Sequence, residues 1–382
     1  MIFHRILNLP SLVNKKSFFL FGPRATGKSF LIRQQFPATV PVINLLKSDI
    51  YLRLNDKPQE LESLIDAENN KPKIVVIDEV QRVPQLLNEV HRLIEERALH
   101  FLLTGSSARK LRQQHVNLLA GRAWEAQLFP LTSAEIPEFQ LERILQFGGL
   151  PPVCLSPEPQ EELNAYVQTY LQQEIQVEAL VRRIPAFSRF LVTAALTSGQ
   201  ILNFTAIAND TGIPASTIRE YYQILEDTFL GFLVKAWTHT VKRKALSTAK
   251  FYFFDIGVRN NLAGIKTLDP ASNLYGQAFE HFIALELRAY LSYRRKFLSL
   301  NYWRSTHGHE VDFIIGDEVA IEVKTAHKTA DKHLQGLCAL AEEKICKRYY
   351  LISFDRIMRH QQGITLMHWQ DFIAKLWGDE IC

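Results

Sequence analysis

Residues 22–29 read Gly22-Pro23-Arg24-Ala25-Thr26-Gly27-Lys28-Ser29, a complete G-x-x-x-x-G-K-S phosphate loop. An apolar run, Phe18-Phe19-Leu20-Phe21, comes before it, and a helix-compatible stretch, Phe30-Leu31-Ile32-Arg33-Gln34-Gln35, comes after it. Strand, curled loop and helix in that order are what the chemistry needs. Glycines let the backbone turn its N–H groups towards a triphosphate, and the helix adds the positive end of its dipole. Gly22 to Ser29 are therefore the expected nucleotide cradle, with Lys28 on the β- and γ-phosphates and the Ser29 hydroxyl on Mg²⁺. ATP and Mg²⁺ are the expected cofactors.

A second element supports the first. Ile74-Val75-Val76-Ile77-Asp78-Glu79 has the unbroken apolar pattern of a strand buried on both faces, ending in two carboxylates. Ligands of such sheets gather at the carboxyl ends of the strands. Asp78 is thus placed to hold the Mg²⁺ water shell and Glu79 to orient the attacking water. A pair of acids at this place points to ATP hydrolysis. A third run, Phe101-Leu102-Leu103-Thr104, leads into Gly105-Ser106-Ser107. Thr104, Ser106 and Ser107 are candidates to sense the γ-phosphate, Ser106 first among them. The alternative is an ordinary helix N-cap at Ser107.

A chain of 382 residues suggests two to four domains. Its 47% hydrophobic and 22% charged content is that of a folded protein, and a net charge of +4 permits nucleic-acid contact without arguing for it. Cys154, Cys338, Cys346 and Cys382 show no C-x-x-C spacing, so free thiols in a reducing compartment are expected. The N-terminus lacks the core of a signal peptide, and no run of about 18 apolar residues is present, so the expected location is cytoplasmic, away from membranes.

Residues 1–139 alternate strands with helices at 29–35, 58–68 and 84–98, the pattern of a parallel α/β sheet. Residues 140–189 read as mostly helical, broken by Gly148-Gly149-Leu150-Pro151-Pro152. Residues 190–254 hold a helix-turn-helix pattern, with the turn at Thr211-Gly212-Ile213-Pro214 and a second helix that places Ile218, Tyr221, Tyr222 and Leu225 on one side. Gly231-Phe232-Leu233-Val234 and Phe251-Tyr252-Phe253-Phe254 flank Lys242-Arg243-Lys244, as the hairpin wing of a winged helix would. Residues 255–382 combine a long helix at 276–293 with strands at 299–304, 310–315, 319–324 and 348–353 and a helix near 330–343.

The stretch 310–324 carries the second candidate site. Asp312 lies in one strand, Gly316-Asp317 makes a hairpin turn, and Glu322 and Lys324 project from one face of the next strand. Two carboxylates and a lysine so arranged can bind Mg²⁺ and activate water for phosphodiester cleavage. Glu280, in the long helix, is the candidate that completes the metal shell. The bland reading is an exposed charged hairpin. The set resembles the PD-(D/E)xK nuclease superfamily, with Asp312, Glu322, Lys324 and Glu280 on the matching positions and Val311 where the motif has proline.

The whole chain resembles a broad prokaryotic family that joins an AAA+/STAND-type ATPase, a middle winged helix and a nuclease-like C-terminal domain of unknown function. The resemblance rests on the phosphate loop, Asp78-Glu79-Val80-Gln81, Leu103-Thr104-Gly105-Ser106-Ser107, Leu119-Ala120-Gly121-Arg122, Gly148-Gly149-Leu150-Pro151, Phe254-Asp255-Ile256-Gly257 and Glu310-Val311-Asp312. It implies an α/β multidomain fold: a P-loop AAA+ parallel sheet, a helical linker, a winged helix and a restriction-endonuclease-like α/β domain. In related ATPases a basic residue stabilises charge on the γ-phosphate, a part open to Arg122 or Arg109. Lys242, Arg243 and Lys244 are candidates for DNA phosphates, with Thr217, Arg219 and Glu220 towards a groove, although Glu220, Glu226 and Asp227 make that helix partly acidic. His307 and His309 read as exposed loop residues. Two functions follow. One is a DNA-associated, Mg²⁺-dependent ATPase coupled to a metal-dependent nuclease-like domain. The other is a nucleotide-controlled switch whose C-terminal domain binds a partner without cutting. DNA, a protein partner and a further copy of the chain are the expected macromolecular partners.

Overall fold

The computed structural model describes residues 2–67, 72–109, 111, 119, 121–171, 184–239, 243 and 245–382. The apolar runs around the phosphate loop form one parallel sheet. Its strands are β1 (Ser17–Phe21), β2 (Val42–Asn44), β3 (Ile74–Asp78), β4 (His100–Gly105) and β5 (Ala123–Gln127), in the order β2-β3-β4-β1-β5. The three central strands are buried on both faces, which is why they read as unbroken apolar runs. The edge strands β2 and β5 are short and half-exposed and gave no such signal. Helices α1 (Leu9–Val13), α2 (Lys28–Gln35), α3 (Ser48–Asp56), α4 (Glu60–Asp66) and α5 (Leu86–Arg97) accompany the sheet. In α5 the residues Leu86, Val90 and Leu93 make the buried stripe expected of an amphipathic helix.

The middle of the chain is helical: α6 (Leu141–Phe147), α7 (Pro151–Leu155), α8 (Pro159–Ala165), α9 (Ile184–Leu196), α10 (Phe204–Thr211) and α11 (Ala215–Asp227). Gly212, in the left-handed region at φ 67°, ends α10, and Pro214 precedes α11. Ile218, Tyr221, Tyr222 and Leu225 face the core as their spacing requires. Strands β6 (Gly231–Ala236) and β7 (Lys250–Phe253) then form an antiparallel hairpin. After α12 (Ile256–Leu262) and the long α13 (Asn273–Tyr293) come β8 (Leu300–Arg304), β9 (Glu310–Ile315), β10 (Val319–Val323), α14 (Gln335–Ala341), β11 (Arg348–Ser353), β12 (Arg359–Gln361), β13 (Ile364–His368) and α15 (Trp369–Trp377).

The hairpin does not stand apart as a wing. β6 runs on past β7 and pairs in parallel with β8, Lys235 opposite Asn301 and Ala236 opposite Tyr302. One mixed eight-stranded sheet results, in the order β12-β13-β11-β10-β9-β8-β6-β7. It crosses the boundary expected after residue 254. Its core mixes Leu141 and Leu145 of α6, Phe232 and Tyr252 of the hairpin, and Phe279, Phe313 and Phe372 from the last part of the chain.

Two of the motifs in the sequence lock together. A Cβ on Gly148 would lie 2.1 Å from Asp255 Oδ1, and one on Gly257 would lie 2.0 Å from the Phe147 carbonyl oxygen. The Asp255 carboxylate caps α12 at Val258 N (3.0 Å) and also accepts from Gly149 N (2.8 Å). Burial raises its pKa to about 6 against those N–H groups. The Gly-Gly turn and the Phe-Asp-Ile-Gly segment are therefore a packing joint between α6 and α12.

Helix α13 fastens the C-terminal sheet to the first one. Ala289 and Tyr293 enter the core around β1 and α2, and Arg288 stacks over Phe129 and Phe232 while its Nη2 donates to Gln127 Oε1 (3.2 Å). Among the described residues no helix is long and apolar enough to cross a membrane.

Candidate functional site

The phosphate loop leaves β1 at its carboxyl end and is held in shape from inside and outside. Ala25 (φ 62°) and Gly27 (φ 94°) take left-handed conformations, which a curled loop needs and which cost a residue with a Cβ some strain. A Cβ on Gly22 would strike the Leu128 carbonyl oxygen at 2.4 Å. Thr26 Oγ1 donates to Pro23 O (2.9 Å), and the buried Lys28 Nζ donates to Gly22 O (2.6 Å) and Pro23 O (2.9 Å). From outside, Arg5 Nη1 donates to Thr26 O (2.9 Å).

Ser29, Asp78, Thr104, Glu79 and Ser106 form one hydrogen-bonded chain across three strand ends. Ser29 Oγ donates to Asp78 Oδ2 (2.9 Å), and Thr104 Oγ1 donates to the other Asp78 oxygen. Glu79 N donates to Thr104 Oγ1 (3.1 Å). Ser106 Oγ donates to Glu79 Oε2 (3.3 Å), and Gln81 Nε2 bridges the two, in contact with Glu79 Oε2 and 3.1 Å from Ser106 Oγ. The topology explains this convergence: β4 lies between β1 and β3, so its end can touch both. Glu79 sits at φ 62°, an uncommon conformation for a non-glycine residue that turns its side chain off the strand path. Gly105 lies close beside it: a Cβ there would meet Gln81 Oε1 at 2.8 Å and push that amide aside. Gln81 is the residue whose role sequence reasoning did not assign, visible only as part of the Asp-Glu-Val-Gln run; Thr104, a candidate phosphate sensor, instead bonds Asp78 and the Glu79 N–H.

Ser29, Lys28, Asp78, Glu79 and Ser106 are thus brought together, whereas Arg122 is not. β1 and β5 run parallel, with Ser17 opposite Ala123 and Phe21 opposite Gln127. Arg122 precedes the Ala123 end, roughly 16 Å of strand away from the loop. It pairs there with Glu95 of α5. Arg122, expected at a γ-phosphate, therefore lies away from the phosphate loop within one chain. Arg109 is turned towards the middle segment and lies 3.5 Å from Asp227. Ser107 Oγ accepts from Arg109 N (3.2 Å), in keeping with a capping role.

In the C-terminal sheet Asp312, Glu322 and Lys324 do converge. β9 and β10 are antiparallel, with Phe313 opposite Ile321, so Asp312 lies beside Glu322. Asp312 Oδ2 accepts from Val323 N (2.8 Å), and Lys324 Nζ contacts Glu322 Oε1 and lies 3.8 Å from Asp312 Oδ2. Burial, reinforced by Asp312, pushes Glu322 up to about 8, and its carboxylate partners hold the Lys324 ammonium above its ordinary value against desolvation. The two shifts pull opposite ways on one ion pair. The ammonium is the member that stays charged, because it has two carboxylates and Glu322 has one lysine.

Glu280 is held differently. Its Oε1 accepts from Tyr252 OH (2.6 Å) and from Lys250 Nζ (3.3 Å), and Lys250 Nζ is also 2.7 Å from Glu310 Oε1. Among the described residues no three His, Cys, Asp or Glu side chains group as a metal site. Glu280 Oε1 is taken by Lys250 and Tyr252 and Glu322 Oε1 by Lys324, so the three carboxylates Glu280, Asp312 and Glu322 do not converge on one point as the sharing of a single Mg²⁺ would require. Lys250 belongs to no motif and stands at the head of an aromatic strand, so the sequence does not single it out. Burial opposes its charge, yet Glu280, Tyr252, Asp312 and Glu310 hold its pKa well above the ordinary value. The basic wing is also altered. Arg243 donates to Ala339 O (2.9 Å) and pairs with Glu342 (2.7 Å), which ties it to α14; Lys242 and Lys244 lie outside the described residues.

A titratable joint lies between the two sheets. The buried Glu286 of α13 accepts from Ser133 N (2.7 Å), Ser133 Oγ (2.8 Å) and Trp377 Nε1 (2.7 Å). Burial raises its pKa to about 7, against the pull of those donors. Its folded value lies above the ordinary 4.5, so the stability it contributes is complete below that value and is lost as pH rises through about 7. The urea midpoint of the native chain is expected to fall more steeply than that of Glu286→Gln between about pH 5 and about pH 8. Equal slopes in the two proteins would show that this carboxyl does not titrate there.

Three family profiles tile the chain. Residues 14–137 match one described as "AAA domain", residues 138–269 match "Domain of unknown function (DUF8612)", and residues 275–372 match "Domain of unknown function (DUF4143)". An uncharacterized protein of Haemophilus influenzae is 25% identical over 295 residues, which cover 70% of this chain and 72% of that protein. The chain therefore carries a P-loop ATPase-like domain at its N-terminal end and a DUF4143 domain towards its C-terminal end.

Proposed function

We propose that this protein is a Mg²⁺-dependent ATPase acting as a nucleotide-controlled switch, with its C-terminal domain serving as a binding module. The hydrogen-bonded run from Ser29 through Asp78 and Thr104 to Glu79 and Ser106 carries this reading. In it the N–H groups of Gly22 to Ser29, with Pro23, Arg24, Ala25 and Thr26 between the two glycines, cradle the phosphates, and Lys28 moves from loop carbonyls onto them. Ser29 and Asp78, already joined, fit the water shell of a magnesium ion, which when bound supplies charge neutralisation at the phosphates. Glu79 orients the attacking water, and Ser106, through Gln81, reports phosphate occupancy back to Glu79. An apolar cleft of about 340 Å³ beside the loop, lined by Phe3, Ala25, Phe30, Pro151 and Leu155, suits the base.

On this reading residues 1–139 are the ATPase unit and residues 140–189 a helical linker. Residues 190–254 are a winged-helix-like unit fused through its sheet to a nuclease-like fold in 255–382. Three helices followed by a hairpin support the former, and α13 packed on the β9–β10–β11 sheet supports the latter. The lysine-filled carboxylates of Glu280 and Glu322 favour binding over metal-dependent cleavage, and the attachment of Arg243 to α14 removes one cation from any DNA surface. Divalent-dependent cutting of DNA or RNA that disappears in Asp312→Ala would overturn the binding-module part.

The nucleotide part has its own test. Lys28→Ala is expected to weaken ATP binding by about 10- to 100-fold, the equivalent of ~1.5–3 kcal/mol for hydrogen bonds to a charged group. Fluorescence titration with a labelled ATP analogue reads it. Unchanged affinity would remove the phosphate loop from the function.

A further inference from the structure

We infer that Lys250 is a built-in cation: its ammonium stands between Glu280, to which the nuclease resemblance assigns a share of a divalent ion, and Glu310, and it keeps the C-terminal acidic site closed to Mg²⁺. This goes beyond the switch reading and does not depend on ATP.

The argument begins with burial. Lys250 opens β7 and is 3% exposed, in a strand that continues Phe251-Tyr252-Phe253. An unpaired ammonium at such a place is costly, so its partners define its role. They are Glu310 Oε1 at 2.7 Å, Glu280 Oε1 at 3.3 Å and the face of Tyr302, whose ring centroid is 5.2 Å away. Tyr252 OH takes the same Glu280 oxygen, and Arg304 Nη1 lies 3.3 Å from the other Glu310 oxygen. These are ammonium and guanidinium distances. A magnesium ion draws its oxygens to about 2.1 Å and would have to displace the lysine Nζ to do so.

Charge and access agree. With Glu322 protonated beside Asp312, the carboxylates Glu280, Glu310 and Asp312 face the cations Lys250, Arg304 and Lys324, so the cluster is balanced without a further ion. Glu322 Oε2 is buried and has no hydrogen-bond partner. Withdrawing Lys250 would leave Glu280 and Glu310 one cation short. A cleft of about 400 Å³ reaches Lys250, Glu280 and Glu310 from solvent and offers an ion its path. The plug belongs to the middle segment: the Lys250 backbone bridges to Ile201, and Leu202 N donates to Ala249 O (2.9 Å). Its place therefore depends on how that segment is seated.

The test counts bound Mn²⁺ on the full chain without nucleotide, by electron paramagnetic resonance. The native protein is expected to hold no Mn²⁺ whose binding depends on Glu280. Lys250→Met should gain one Mn²⁺ with a dissociation constant of about 10⁻⁴–10⁻³ M, and Lys250→Met with Glu280→Gln should lose it again. Lys250→Arg, which keeps the charge, should gain none. ATP hydrolysis should be unchanged in Lys250→Met, so a failure here is separable from a failure of the ATPase reading. The inference is overturned if folded Lys250→Met binds no ion, or if the native chain already binds one that Glu280→Gln abolishes. The second comparison decides the matter even if Lys250→Met does not fold.

Discussion

Glu79→Gln is expected to bind ATP like the native chain and to hydrolyse it about 10²–10⁴-fold more slowly, the usual share of a positioned acid or base. The substitution keeps the shape of the side chain and removes its ability to accept a proton. It should also fold. Gln81 Oε1 is buried without a partner and can accept from the new amide, while Ser106 Oγ still reaches the remaining carbonyl oxygen. The left-handed backbone at residue 79 is no less tolerable for Gln than for Glu. Phosphate release at saturating ATP gives the rate, and titration with a labelled analogue gives the affinity. A fall of less than about tenfold would move the water-orienting role away from Glu79.

Arg5→Ala is expected to destabilise the chain by about 3–5 kcal/mol, the cost of leaving a buried charge without its partner. The Arg5 side chain is 5% exposed and Glu135 is fully buried. The guanidinium donates to Glu135 Oε1 (3.0 Å), Thr26 O (2.9 Å), Phe129 O (2.6 Å) and Tyr293 OH (2.9 Å). It thereby joins the phosphate loop to the last turn of α13. Without it Glu135 retains, among the described residues, the N–H groups of Ile6 and Thr132. Arg5→Lys should recover little, because one ammonium cannot serve a planar four-way fork. Urea unfolding measures the stability. A loss under about 1 kcal/mol would mean that the link between loop and helix is not structural.

Local signals made much of the first sheet readable. Buried parallel strands are apolar throughout, so β1, β3 and β4 stood out, and the acids at the end of β3 marked the ligand edge. The edge strand β5, Ala-Trp-Glu-Ala-Gln, has no such pattern, and without it Arg122 could not be placed at the far end of the sheet. The same limit governs the second site. Strand alternation put Asp312 beside Glu322 and Lys324, because hairpin geometry is local. Nothing local told where α13 would present Glu280, or that Lys250, 30 residues earlier, would meet it. The one cue was a lysine at the head of an aromatic strand. Arg5 gave no cue at all, since its four partners are spread along the chain from Thr26 to Tyr293.

The pairing of β6 with β8 has a consequence for how such a chain can change over generations. Segments are exchanged between genes with least damage where few contacts cross the break. Between Gly231 and Arg304 any break divides a sheet. A C-terminal piece inherited without the hairpin would carry β8 as a bare edge, open to pairing with other chains. It would also lose the lysine that neutralises Glu280 and Glu310. The hairpin and the sheet it extends are thus expected to be inherited together, and a C-terminal end exchanged at this point would have to bring a strand of its own to cover β8.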